Sequence, residues 1–129
     1  MRKPLQQFQS FRQSARKRGL TVELTLQQFW FFRNGRCHYC GISSELLARY
    51  SEEQKLRTPF MTIDRIDNTK HYVPDNCCSA CFVCNRMKGN ILAADEMREI
   101  GARYVRPKWE KFEEIVMEQY ERDLLSLEI

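Results

Sequence analysis

Cys37-His38-Tyr39-Cys40-Gly41 and Cys81-Phe82-Val83-Cys84 are the two stretches that decide the fold. Each is a Cys-x-x-Cys knuckle, and two such hooks supply four soft thiolates, the donor set of a tetrahedral zinc site. With four thiolates bound, the ion has no position left for water or substrate, so the zinc is expected to be structural. The competing reading is a pair of disulfides or redox-active knuckles, but a redox Cys-x-x-Cys pair needs no second copy. The 40 residues from Gly41 to Ala80 are too many for a short zinc ribbon, so the clamp should close on an inserted structure. Cys77 and Cys78, just before the second knuckle, read as buried small hydrophobes. His38 is expected to hydrogen-bond locally rather than displace a cysteine.

Outward from the knuckles, 129 residues with 43% hydrophobic and 29% charged side chains suit one globular domain. Six cysteines fall below the roughly 8–10% of a disulfide scaffold. The longest run of large apolar side chains, Phe29-Trp30-Phe31-Phe32, is far short of the roughly 20 residues that cross a bilayer. Polar Gln6, Gln7, Gln9 and Ser10 follow Arg2 and Lys3 where a signal peptide would be apolar, so a cytoplasmic protein with no membrane partner is expected.

Charge is segregated along the chain. Residues 1–36 carry eight Lys or Arg against one acid, residues 37–92 seven against six, and residues 93–129 six against ten. A basic amino-terminal third suits a polyanion partner, because each Lys or Arg placed on a phosphate releases counterions. A solvated basic face is the plainer alternative.

Leu5, Phe8, Phe11 and Ala15, with Pro4 at the start and Gly19 at the end, predict an amphipathic helix with a basic polar face over Pro4 to Arg18. Thr21 to Leu24 is a short extended stretch, and Thr25 caps a second helix from Leu26 to Arg33, whose Phe29, Trp30 and Phe32 should enter the core. Ser44 to Lys55 holds a helical turn or two, broken at Thr58-Pro59. Phe60 to Ile66 is strand-like, Asp67 to Lys70 is turn chemistry, and Tyr72 to Asn76 continues as loop. Asp95 to Tyr104 and Trp109 to Leu127 have helical periodicity, with Pro107 expected to break between them. The last helix bears an apolar stripe, Trp109, Phe112, Ile115, Val116, Tyr120, Leu124 and Leu127, which reads either as core packing or as a homodimer seam.

Between and just beyond the hooks lie Ile63-Asp64-Arg65-Ile66-Asp67-Asn68, Tyr72 to Asn76, and Asn85-Arg86-Met87-Lys88-Gly89. This arrangement resembles the zinc-bound branch of the HNH, or His-Me finger, endonucleases, and within it the phage-type group of recombination endonuclease VII. The match covers residues 37 to about 92. The resemblance implies an α+β domain: a small ββα-metal core at 37–92 clamped by zinc, a basic helical lead-in at 1–36 and a helical extension at 93–129.

Residue by residue, Asp64 matches the family's acidic metal ligand and Asn85 its second ligand. Their oxygens suit a hard divalent ion, Mg²⁺ or Mn²⁺, as a second cofactor beside zinc. Asn76 matches the Asn that ties the loop to the first strand. Turn roles for Asp64 and Asn76 are the simpler alternative. The sequence departs from the family at Arg65, which stands where the general-base His belongs. Arg cannot accept a proton near neutral pH, but it can hold a phosphate and offset its charge. His71 is then the first candidate for the base, Tyr72 the second. Arg12, Arg16, Lys17, Arg18, Arg86 and Lys88 are the candidate contacts to a nucleic-acid backbone, DNA first. The resemblance implies a metal-dependent phosphodiester hydrolase acting on DNA. A zinc module that binds nucleic acid or protein without catalysis is the alternative that Arg65 favours.

Overall fold

The computed structural model describes residues 3–57 and 59–128. Six helices surround one two-stranded sheet: α1 (Pro4–Lys17), α2 (Leu26–Arg33), α3 (Ser44–Glu53), β1 (Thr62–Arg65), β2 (Cys77–Ala80), α4 (Phe82–Lys88), α5 (Ala94–Ile100) and α6 (Arg106–Ser126). β1 and β2 run antiparallel, with Thr62 opposite Ala80, Ile63 opposite Ser79, Asp64 opposite Cys78 and Arg65 opposite Cys77. Helix α4 follows β2 directly, which completes the ββα order expected from the sequence.

The strand period of two sorts side chains to opposite faces, and here it sorts them into two cores. Ile63 and Cys77 join Phe8, Ala15, Leu24, Phe29 and Tyr72 in a cluster under the amino-terminal helices. Cys78 and Ala80, on the other face, join the four knuckle cysteines, Tyr39, Ile42, Leu47, Met61, Met97, Val105 and Trp109. The first cluster is built from rings: Phe29 meets Phe8 at 5.0 Å and Phe11 at 5.4 Å between centroids, and Phe11 stands edge-on to Tyr72 at 4.9 Å.

Local chemistry explains most element ends. Thr25 caps α2 by accepting the Gln28 N–H at 3.1 Å, while the Gln28 side chain accepts the Thr25 N–H at 2.9 Å. Gly19 closes α1 at φ +76°, a left-handed conformation suited to glycine. The segment Thr21 to Leu24 forms no strand beyond a parallel bridge from Val22 to Tyr72. Ser43 caps α3, which runs ten residues, longer than the turn or two expected. Of the expected breaker, Pro59 is described and Thr58 lies outside the described residues. Phe29 is fully buried, Trp30 and Phe32 are half-buried, and Phe31 is exposed.

Pro107 does not break the chain. Residues 101–105 form a π-helical turn that joins α5 to α6, and the Arg106 N–H bonds to the Gly101 carbonyl five residues back. A proline inside a regular α-helix clashes with the carbonyl four residues before it. The wider turn immediately ahead of Pro107 accommodates the ring, so helical backbone runs from Ala94 to Ser126. The apolar stripe of α6 is divided: Trp109 is buried and Phe112 packs on the zinc-side core, whereas Ile115, Tyr120, Leu124 and Leu127 are exposed.

That π turn lies directly on the first knuckle. A Cβ built at Gly101 would stand 2.5 Å from the Tyr39 carbonyl oxygen and 2.7 Å from its carbon. The Gly101 backbone is itself helical, where alanine is intrinsically favoured by about 1 kcal/mol. Gly101→Ala therefore isolates the steric term, and it should lower unfolding free energy by about 1–3 kcal/mol in denaturant titrations of the zinc-loaded protein.

Candidate zinc and divalent-ion sites

The two knuckles meet. Cys37, Cys40, Cys81 and Cys84 are all buried, and their Sγ atoms lie within 4.8 Å of one another. The Cys40 and Cys81 sulfurs are 3.7 Å apart, which matches the roughly 3.8 Å edge of a tetrahedron with Zn–S bonds of about 2.3 Å. It is far from the roughly 2.05 Å of a disulfide, and all six cysteines are free thiols. Charge points the same way. Hydrogen bonds with Cys40, Cys81 and Cys84 hold the Cys37 thiol far below its ordinary range, while those with Cys37, Cys40 and Cys81 push Cys84 far above it. Four crowded thiols cannot all ionise without a cation among them, so the donor set fits zinc and leaves no open coordination position.

Cys77 and Cys78 take no part in this cluster. Desolvation raises each thiol to about 12, consistent with buried apolar packing. His38 donates its backbone N–H to the Ser79 carbonyl at 2.8 Å, and its ring stands edge-on to Tyr39.

A second site opens at the end of β1. A cleft of about 330 Å³ is lined by Asp64 and Arg65 of β1, Asn85 of α4, Arg18 and Phe11 of the first helical segment, Arg33 of α2 and Tyr72. Asp64 and Asn85 thus share one cavity although 21 positions apart in sequence. Both present oxygen, the donor type that suits a hard divalent ion.

Asp64 is nearly buried, and its Oδ2 carries two donors: the Tyr39 hydroxyl at 2.5 Å and the Lys88 ammonium at 3.2 Å. No described residue donates to Oδ1. Arg65 folds back over the turn, donating from Nη1 to the carbonyls of Asn68 at 2.9 Å and Lys70 at 3.0 Å, with its guanidinium 5.6 Å from the Tyr72 ring centre. Asn76 is committed to the backbone. Its Oδ1 accepts the Asp67 N–H at 2.8 Å, and its Nδ2 donates to the carbonyls of Asp67 and His71. It fastens the loop after β1.

Two expected positions require correction. His71 does not line the cleft: it is exposed, and its Nδ1 accepts the Thr21 N–H at 2.9 Å. Tyr72 is the residue of that pair that enters, its hydroxyl oxygen accepting from Arg18 Nη2 at 3.2 Å. Lys88, expected on the nucleic-acid face, is 0% exposed. Besides the Asp64 pair, its ammonium donates to the Asn68 side-chain oxygen at 2.6 Å and the Arg65 carbonyl at 3.0 Å, which uses all three of its protons. Arg12, Arg16, Lys17 and Arg86 are exposed but lie outside the cleft, and Arg18 is the one of the six expected backbone contacts that lines it.

Sequence reasoning missed Arg33 and Tyr39. Arg33 lies over the rings of Phe29 and Phe60 and donates to the Met61 carbonyl, and burial lowers its pKa. Its signal was a lone cation closing an aromatic helix. For Tyr39 it was a hydroxyl lodged between two zinc cysteines.

No family model matches the chain. A solved structure does: the rare-cutting HNH restriction endonuclease PacI, an enzyme that perturbs DNA, superposes with a TM-score of 0.72 at 30% identity, over 86% of this chain and 82% of that one. The chain belongs to the HNH endonuclease family. An uncharacterized protein of Acanthamoeba polyphaga mimivirus, R423, is 31% identical over 84 residues, 65% of this chain, and the chain spans 14% of the length of that relative. The matched HNH structure is a restriction enzyme and does not select the phage-type branch. The α+β architecture and the four-cysteine cluster are those of an HNH domain, and no helix among the described residues is long and apolar enough to cross a membrane.

Two outcomes are expected. Purified protein should carry one zinc per chain by atomic absorption, and Cys84→Ser should lose both the metal and a cooperative thermal transition. Lys88→Met, which strands the buried Asp64 carboxylate, should cost about 3–5 kcal/mol in denaturant unfolding.

Proposed function

We propose that this chain is a metal-dependent DNA endonuclease of HNH type that hydrolyses phosphodiester bonds, with a structural zinc and a separate Mg²⁺ or Mn²⁺ at Asp64 and Asn85. The observation that carries this reading is the cleft itself, whose lining brings two oxygen-bearing residues, Asp64 and Asn85, together with Arg18, Arg33 and Arg65. Anion-binding side chains around a carboxylate make a poor apolar binding pocket and a suitable seat for a phosphodiester and a cation together. The PacI likeness supports DNA as the polymer.

When bound, the divalent ion supplies Lewis-acid stabilisation of charge growing on the phosphate and the leaving oxygen. The protein's own groups do the rest. Arg65 is held by the turn through one nitrogen, and the remaining edge of its fork meets a phosphate oxygen. Arg33 and Arg18 extend the positive wall along the backbone, and Asn76 fixes the loop that carries Arg65's acceptors. Water attacks phosphorus, the P–O bond to the departing sugar oxygen breaks, and the attacking water gives up a proton. Tyr72, which lines the cleft, would accept it as a phenolate, whereas His71 is tied to the Thr21 N–H outside. The exposed outer face of α6 supports a homodimer, which sedimentation of the zinc-loaded protein would register as twice the chain mass.

Plasmid nicking with Mg²⁺ or Mn²⁺ is the test. Activity should vanish with EDTA and with Asp64→Ala, while DNA affinity by gel shift is retained. Tyr72→Phe should lower the rate at saturating ion by about 10²-fold or more, and His71→Ala should change it by only a few-fold. DNA binding without cleavage of duplex, branched or single-stranded substrates would replace the enzyme with a zinc-stabilised binding module.

A further inference from the structure

Both zinc hooks deliver a donor to the same oxygen atom. Tyr39 sits between Cys37 and Cys40 in the first knuckle, and its hydroxyl donates to Asp64 Oδ2 at 2.5 Å. Lys88 lies four residues beyond Cys84, on the same face of α4, and its ammonium reaches that Oδ2 at 3.2 Å. Tyr39 is 1% exposed, so neither water nor substrate competes for its hydroxyl. Its oxygen in turn lies 3.6 Å from the Cys78 thiol, across the sheet from Asp64. The π turn clamps the knuckle backbone from the other side, where the glycine at 101 permits contact with the Tyr39 carbonyl.

We propose that Tyr39 is the positioning residue of the divalent-ion site: it holds Asp64 Oδ2 so that Oδ1 faces the ion, and thereby makes zinc-knuckle geometry a determinant of ion affinity. This rests on the reading of Asp64 as an ion ligand. A carboxylate on a free χ2 rotor loses orientation whenever it turns to meet water. One fixed by a hydroxyl and an ammonium on a single oxygen keeps its second oxygen aimed. Partners that orient a ligand in this way typically account for 10–100-fold in metal affinity. Tyr39 never touches the substrate in this arrangement, since its hydroxyl is enclosed by Asp64 and Cys78.

Tyr39→Phe keeps the ring and removes only the hydroxyl. Mn²⁺ binding to the zinc-loaded protein, followed by the paramagnetic resonance of free Mn²⁺, should weaken by about tenfold or more, with zinc content and melting temperature close to wild type. The Mn²⁺ concentration for half-maximal nicking should rise in parallel, with a smaller change in the rate at saturation. In an Asp64→Ala background the same substitution should have no further effect on Mn²⁺, because the two residues act as a unit. Unchanged Mn²⁺ affinity in Tyr39→Phe, while Asp64→Ala abolishes binding, overturns the positioning role and leaves the ion site intact. Mn²⁺ affinity unaffected by Asp64→Ala overturns the ion site and this inference with it. Loss of zinc from Tyr39→Phe also overturns it, by making Tyr39 a packing residue of the knuckle.

Discussion

Four thiols drawn together across 40 intervening residues are the constraint on which the rest of this structure depends. A sheet of two four-residue strands cannot hold itself together in water, and the hydrophobic material around it is divided between two small clusters. Closing so long a loop costs chain entropy that grows only slowly with length, whereas the metal–thiolate bonds that would offset it are as strong for a long loop as for a short one. The clamp therefore anchors the two ends of the ββα unit and leaves its middle free to carry chemistry.

The lead-in helices approach from the other side and contribute a different kind of order. Phe8, Phe11, Phe29 and Tyr72 interlock as rings, and cations are laid over them: Arg12 on Phe8, Arg18 and Arg65 on Tyr72, Arg33 on Phe29. Aromatic surfaces of this kind hold guanidinium planes in place at small cost in hydration. The positive wall of the cleft is thus prepared before any polyanion arrives, which reduces the side-chain ordering that binding would otherwise have to supply.

How much of this could be read from the chain alone depended on whether the information was local. The knuckles, the cap at Thr25, the glycine stop at Gly19 and the turn chemistry of Asp67 to Lys70 are all signals within a few residues, and each emerged as read. That Asp64 and Asn85 line one cleft was legible because the family resemblance spans both. Lys88 was misplaced because a charged residue on a short helix reads as exposed, and only tertiary packing reveals a carboxylate, an amide and a carbonyl waiting inside to take its three protons. Pro107 misled for a related reason: the rule that prolines break helices assumes α-helical spacing, and the five-residue turn ahead of it departs from that spacing. His71 and Tyr72 are neighbours in sequence, and a loop gives no periodicity from which to tell which one faces inward.

Asp64 and Arg65 are consecutive, yet they belong to opposite faces, one turned toward sulfur and the other toward aromatic rings. A slip of one position between β1 and β2 would exchange them, putting a cation against the cysteine sulfurs and carrying the carboxylate away from Tyr39 and Lys88. Such a molecule would have the same composition, the same elements and inverted chemistry. The knuckles flank the hairpin, one bonded to it through the His38 N–H on the Ser79 carbonyl and the other continuing from β2. In this fold a metal held by the four cysteines would act as a proofreader of strand alignment, admitting the one pairing in which Asp64 meets Tyr39 and Lys88.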